Sequence, residues 1–266
     1  MSGALALVLT ALAATSVGLP EPAVHLDTRR VPISLSFSGQ QVFLSAQLPP
    51  ECDSALAIME GPPAGFVRLM RKGRLVVFWM GVRQYKLAHL PELYLVDLHC
   101  PLCNGMGECP HQAEMAALSK ALKDAGLAIG PEAIASRARL EVLGGHAEPG
   151  EAETVAKGYW QLQESRGVYG LRGNAIRISP DRLLYHVFNL GTKAPEGKYR
   201  ISTYFLRGRT LVAMTRNDLF VRQSGLVSWL SRLAERHALV YGAFTVLIAL
   251  SAGLLAGVVF KRGAKH

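Results

Sequence analysis

From His99 to His111 the chain reads His-Cys-Pro-Leu-Cys-Asn-Gly-Met-Gly-Glu-Cys-Pro-His, which places three thiols and two imidazoles within thirteen residues. Thiolate sulfur and imidazole nitrogen bind tetrahedral metal ions. The two-residue spacing of Cys100 and Cys103 lets both sulfurs face one ion, so Cys100, Cys103, Cys109 and either His99 or His111 make a candidate Cys3His metal site. A second chemistry is oxidation. With Cys52 there are four cysteines and three ways to pair them, and in an oxidising compartment disulfides that staple this loop to the rest of the fold are the expected outcome. A third is a redox pair at Cys100-Pro-Leu-Cys103, although such pairs rely on a helix N-terminus and Asn104, Gly105, Gly107 and Pro110 intervene before any helix. Covalent haem is excluded, because Asn104 stands where the attachment motif needs histidine.

Arg68, Arg71, Lys72 and Arg74 form a second cluster, a basic run able to hold an oxyanion or lie against lipid headgroups, or simply to make a solvated strand face. His25, His89, His146, His186 and His237 are scattered. Asp53, Glu92 and Asp97 cannot be paired from sequence. No Gly-x-Ser-x-Gly elbow, His-Glu-x-x-His helix or phosphate-binding glycine loop occurs, so an enzyme is not expected, and no cofactor is implied beyond a metal at the Cys/His cluster.

These residues need a scaffold, and the chain has the material for one. It has 266 residues, half of them apolar, which accommodates one large or two small domains. Val31–Phe37 alternates as a strand, and a turn at Ser38-Gly39 leads to a second over Val42–Ala46. Phe66–Lys72 and Leu75–Met80 read as a hairpin turning at Gly73. Asn174–Ile178, Leu183–Phe188, Gly197–Leu206 and Thr210–Met214 continue the pattern, the last two joined by a tight turn at Arg207-Gly208-Arg209. Met115, Leu118 and Leu122 predict a helix over Ala113–Gly126, and Glu153–Glu164 a second, giving a helical insertion at about 110–165. The expected fold is mainly β, an immunoglobulin-like β-sandwich over 19–223 interrupted by that insertion.

The two ends differ from the middle. Only 18% of residues are charged, against roughly 25% in a usual globular protein, and Met1–Leu19 and Leu239–Phe260 contain no Asp, Glu, Lys, Arg or His. The first reads as a signal peptide over 1–18, with a short apolar core followed by small residues Ala14, Ser16 and Gly18. Leu239–Phe260 is long enough, about 33 Å as a helix, to cross a hydrocarbon core of about 30 Å as a transmembrane α-helix. Lys261, Arg262 and Lys265 follow, the flank expected on the cytoplasmic side. The expected topology is a single-pass protein of the bacterial inner membrane, with the bulk of the chain in the periplasm and 261–266 as a cytoplasmic tail. Leu226, Leu230 and Leu233 recur at helical spacing, so 224–238 reads as an amphipathic juxtamembrane helix with Trp229 near the interface. Gly253 and Gly257, four apart, offer a packing surface to another membrane helix. The net charge of +9 falls to +6 without the three tail cations, too diffuse to argue nucleic acid.

The stretches VPISLSFSG (Val31–Gly39), GPPAGFVRLMRKGRLVVFWMG (Gly61–Gly81), LPELYLVDL (Leu90–Leu98), RGVYG (Arg166–Gly170), APEGKYRISTYFLRGR (Ala194–Arg209), VRQSGL (Val221–Leu226) and LVYGAF (Leu239–Phe244) cover most of the chain after residue 30. In their order and spacing the chain resembles a proteobacterial transmembrane family of unknown function. The resemblance implies a signal peptide, an exported β-rich region and one C-terminal transmembrane helix. It also implies an accessory role beside an integral membrane partner, a permease of the sulfite-exporter type. It carries over no catalytic residues, and the cysteine cluster at 99–111 departs from its pattern.

Overall fold

The computed structural model describes residues 22–34, 36–75, 78–100, 112–225 and 233–263. The expected signal peptide, most of the Cys/His cluster and Leu226–Arg232 of the expected juxtamembrane helix lie outside these residues.

The chain is mainly β, and alternation builds the first sheet. In β3 (Gln40–Gln47) the side chains of Val42, Leu44 and Ala46 point inward, and in β11 (Leu183–Leu190) those of Leu184, Phe188 and Leu190 do the same. Phe43 and Tyr185 point to solvent, as expected of an antiparallel sheet covered on one face. With β1 (Val24–Leu26) and β10 (Arg177–Ile178) these strands form a four-stranded sheet in the order β1-β3-β11-β10.

The second sheet is different in kind. Its order is β2 (Arg30–Ile33), β13 (Thr210–Gln223), β12 (Gly197–Arg207), β4 (Ser54–Glu60), β7 (Tyr94–Leu98) and β9 (Tyr169–Arg172). Six of the seven residues of β4 and all five of β7 are buried. Continuous apolar runs of this kind require cover on both faces. On one face Ala57, Met59, Leu95, Ile201 and Phe205 meet the four-stranded sheet and close the first core. On the other, Leu56, Ile58, Tyr94, Val96 and Leu98 form a second core with three helices. These are α1 (Gln112–Asp124), α2 (Gly130–Arg137) and α3 (Glu151–Ser165), which contribute Leu118, Leu122, Ile134, Tyr159 and Trp160. Tyr94, Tyr159, Trp160 and Tyr169 lock that layer with tilted and edge-on ring contacts at 5.4–6.0 Å.

A three-stranded sheet, β5 (Phe66–Leu75), β6 (Phe78–Ala88) and β8 (Arg139–Leu143), adds Leu87 to the second core. A final helix, α4, spans Ala238–Gly263. Among the described residues no helix is long and apolar enough to cross a membrane.

Several expectations change. The sandwich has a third layer behind it, and β2–β13 and β7–β9 are parallel pairs, so the strand connections depart from the antiparallel immunoglobulin pattern. The first strand stops at Ile33, where a turn bonds Phe37 N to Ser34 O, and β2 and β3 belong to different sheets. The hairpin does not turn at Gly73, which sits inside β5 opposite Met80; the strands stay paired out to Leu75 opposite Phe78, with a one-residue register shift at Arg71/Lys72. The insertion is not purely helical, since β8 within it completes the hairpin's sheet. The Arg207–Arg209 turn is present: Gly208 has φ +59°, and its N–H donates to the Asp53 carboxylate at 2.9 Å.

The two faces of β11 give a direct check on this layering. Phe188→Ala is expected to cost about 3–5 kcal/mol in denaturant unfolding of the solubilised chain, and Tyr185→Ala on the opposite face less than about 1 kcal/mol. Equal losses would mean that β11 is not covered on one face only.

Candidate functional site

The most concentrated chemistry among the described residues lies inside the first core. Asp97 is the one acid in the apolar run Tyr94–Leu98, and strand alternation turns it, with Leu95, toward the four-stranded sheet. His186 comes from that facing sheet, on the inward side of β11 with Leu184 and Phe188. Both side chains are essentially without solvent exposure, and His186 Nε2 lies 2.9 Å from Asp97 Oδ2, an ion-pair distance without hydrogen-bond alignment. The other ring nitrogen, Nδ1, faces the Ala175 carbonyl at 3.1 Å, while the Phe188 ring packs edge-on at 4.3 Å. Arg172, in register with Asp97 on the neighbouring edge strand β9, closes the arrangement with a bidentate contact, Nε to Oδ1 at 2.6 Å and Nη2 to Oδ2 at 2.7 Å.

Burial alone would raise the Asp97 pKa, but His186 and Arg172 outweigh it and hold the carboxyl below its usual value. The Arg172 guanidinium is correspondingly pushed up by its bond to Asp97. Arg172 is half exposed, so the cluster is a buried acid with one arm in solvent. It joins both sheets of the sandwich through three strands. Its position between the two sheets fixes how they meet.

The loop that enters the cysteine cluster starts at this same place. His99 N donates to Ala55 O, its Nδ1 faces Ile176 O at 3.1 Å, and its carbonyl accepts from Ser54 Oγ at 3.3 Å. Cys100 is buried beside it in sequence. Cys52 is a buried free thiol whose pKa is raised, first by burial and then by Glu51. Cys103, Cys109 and His111 lie outside the described residues. Among the described ones, no group of three or more His, Cys, Asp or Glu is placed to hold a metal.

The basic run lies elsewhere, on the hairpin. Tyr85 on its inner face donates to Glu151 Oε1 at 2.7 Å, and Arg83 pairs with Glu148 and Glu151, clasping the base of the hairpin to the start of α3. Arg71 faces Tyr85, whereas Arg68, Lys72 and Arg74 are exposed on the ribbon. Gly253 and Gly257 stand on α4, where an added Cβ would meet nothing within 4 Å.

Sequence alone singled out neither Arg172 nor His186 as a partner for Asp97. Arg172 is 75 residues away, and the one available signal is an acid inside an otherwise apolar strand, which marks a buried charge without naming its counter-ion.

Together the described residues define a mainly β body of layered sheets and helices, with an internal ion cluster and the apolar helix α4. The chain belongs to the family described as "Putative transmembrane protein (Alph_Pro_TM)", which matches residues 23–262. No curated protein and no solved structure matches it.

Because the folded-state pKa of Asp97 is depressed, its contribution to stability is complete above the unfolded value of about 3.9 and lost as pH falls through the folded one. Asp97→Asn should therefore lower stability at neutral pH, by about 3–5 kcal/mol if the partners cannot adjust, and flatten the acid limb of a stability-versus-pH profile. An unchanged acid limb would assign acid sensitivity to other carboxylates.

Proposed function

We propose that this protein is a membrane-anchored accessory or interaction protein, its β body held in the periplasm by α4 and serving an integral membrane partner. The observation that carries the reading is the surface of α4. Val246, Leu247 and Ile248 are consecutive, and so face three directions at about 100° intervals, yet all are exposed, as are Leu250, Leu254 and Leu255. A helix apolar all round is stable in a nonpolar surrounding, and the body supplies none to these residues. The backbone of α4 continues to Gly263 and takes in Lys261 and Arg262, the cationic flank expected on the cytoplasmic side. The family's description as transmembrane supports the same reading.

Reporter fusions test the orientation. A reporter active only in the cytoplasm is expected to work when fused after His266 and to be silent when inserted in the exposed turn at Gly150; the reverse pattern overturns the topology.

The partner proposed from the family resemblance is a permease of the sulfite-exporter type, and Gly253 and Gly257 are where a second membrane helix would approach closely. Replacing both with leucine is expected to reduce co-purification of membrane partners severalfold while leaving insertion intact. Undiminished recovery would make α4 a tether only.

A further inference from the structure

The β5–β6 hairpin carries more than its own sheet needs. Strand β8 pairs with β6 only over Gln84–Ala88, so past Met70 on β5 and Gln84 on β6 the hairpin continues as a two-stranded ribbon. Two glycines show how that ribbon is dressed. A Cβ on Gly81 would lie 2.2 Å from Met70 Sδ, and one on Gly73 would lie 3.0 Å from the Val82 methyls, so Met70 lies over Gly81 and Val82 over Gly73. Gly81 and Val82 are adjacent and therefore point to opposite faces. Met70 is 55% exposed and Val82 46%, which leaves the ribbon uncovered on both sides. Phe66 and Met80 are also about half exposed.

The charge on this ribbon has one sign. Phe66–Ala88 contains six cations and no carboxylate. At the base, Arg83 is neutralised by Glu148 and Glu151 and Lys86 by Glu141, while Arg68 and Lys86 flank the Phe66 ring at 5.8 and 5.0 Å. Arg68, Lys72 and Arg74 meet no carboxylate among the described residues. Exposed apolar side chains interleaved with unneutralised cations on long aliphatic stems match the boundary between anionic headgroups and acyl chains.

The hairpin is rooted at the end of the body from which the chain departs for α4. Pro62, four residues before β5, packs against Gly197, where a Cβ would approach to 2.8 Å, and Gly197 pairs with Val221 two residues before β13 ends. The same end carries an open groove of about 490 Å³ lined by Arg30, Arg222 and Ser224.

We infer that the β5–β6 ribbon is a lipid-binding element, which lays Phe66, Met70, Met80 and Val82 into an anionic bilayer surface and sets Arg68, Lys72 and Arg74 against its phosphates. This inference rests on the proposed anchoring by α4, because the anchor supplies the bilayer. It gives the body two points of attachment and therefore a defined orientation over the membrane.

The test is amide hydrogen exchange of the full chain in lipid nanodiscs. Amides of residues 66–82 are expected to exchange about tenfold more slowly in discs containing phosphatidylglycerol than in discs of phosphatidylcholine alone. The difference is expected to vanish in R68E/K72E/R74E while exchange in β3 and β11 is unchanged, which shows the variant is folded. Equal exchange in the two lipids overturns the inference. So does protection that appears only when two copies share a disc, which would make the ribbon a dimer contact. If the chain does not enter discs, the anchor reading fails instead, and the ribbon is judged by flotation with phosphatidylglycerol vesicles. There the wild type should float and the triple variant bind at least about a hundredfold more weakly, from roughly fivefold for each cation lost and further repulsion from each carboxylate added. A wild type that stays unbound overturns the inference.

Discussion

The six-stranded sheet is apolar on both faces, and the rest of the body follows from covering it. Strands β4 and β7 leave almost no residue to water, so each face needs its own partner layer. The four-stranded sheet meets one face with the alternating strands β3 and β11. The other cannot be met by a second sheet of the same kind, because the chain returns there through α1, α2, α3 and the β5–β6–β8 sheet, whose apolar sides join in one core. Each of the two cores includes side chains of β4, β7 and β12, so a change in any of these strands is felt on both sides.

Asp97 makes this geometry specific. A carboxylate inside the first core is stable only with partners, and they come from β11 of the facing sheet and from β9 at the neighbouring edge. Packing of the inward side chains already sets how the sheets meet, and an acid that must reach the His186 imidazole adds a polar constraint to it. Among the described residues of the cluster, Arg172 is the one that reaches solvent.

Apolar surface that the body leaves uncovered collects on two elements, the β5–β6 ribbon and α4. Both carry apolar side chains on more than one face, and the basic residues of each lie at one end or along one stem. The rest of the exterior is ordinary for a β protein, with isolated exposed residues such as Phe43 and Tyr185. Concentration of apolar surface on two projecting elements assigns contact with something nonpolar to them and not to the sheets.

What the sequence determined by itself was local. Alternation located β3, β11 and β12 and the Gly208 turn, helical spacing located α1 and α3, and the charge-free run Leu239–Phe260 located α4, because each signal lies within a short stretch of chain. The resemblance carried by stretches such as GPPAGFVRLMRKGRLVVFWMG was also readable in the chain. Signals that depend on distant residues were not. The unalternating runs of β4 and β7 do not say which layer covers which face, so the third layer and the parallel pairs emerged only in the fold. Gly73 looked like a turn because glycine permits one; the tertiary structure uses it instead to seat Val82. Asp97, Arg172 and His186 were three unrelated positions in sequence, and only the pairing of β7 with β9 and the meeting of the two sheets made them one cluster, since an ion pair is decided by distance in space and carries no periodicity along the chain.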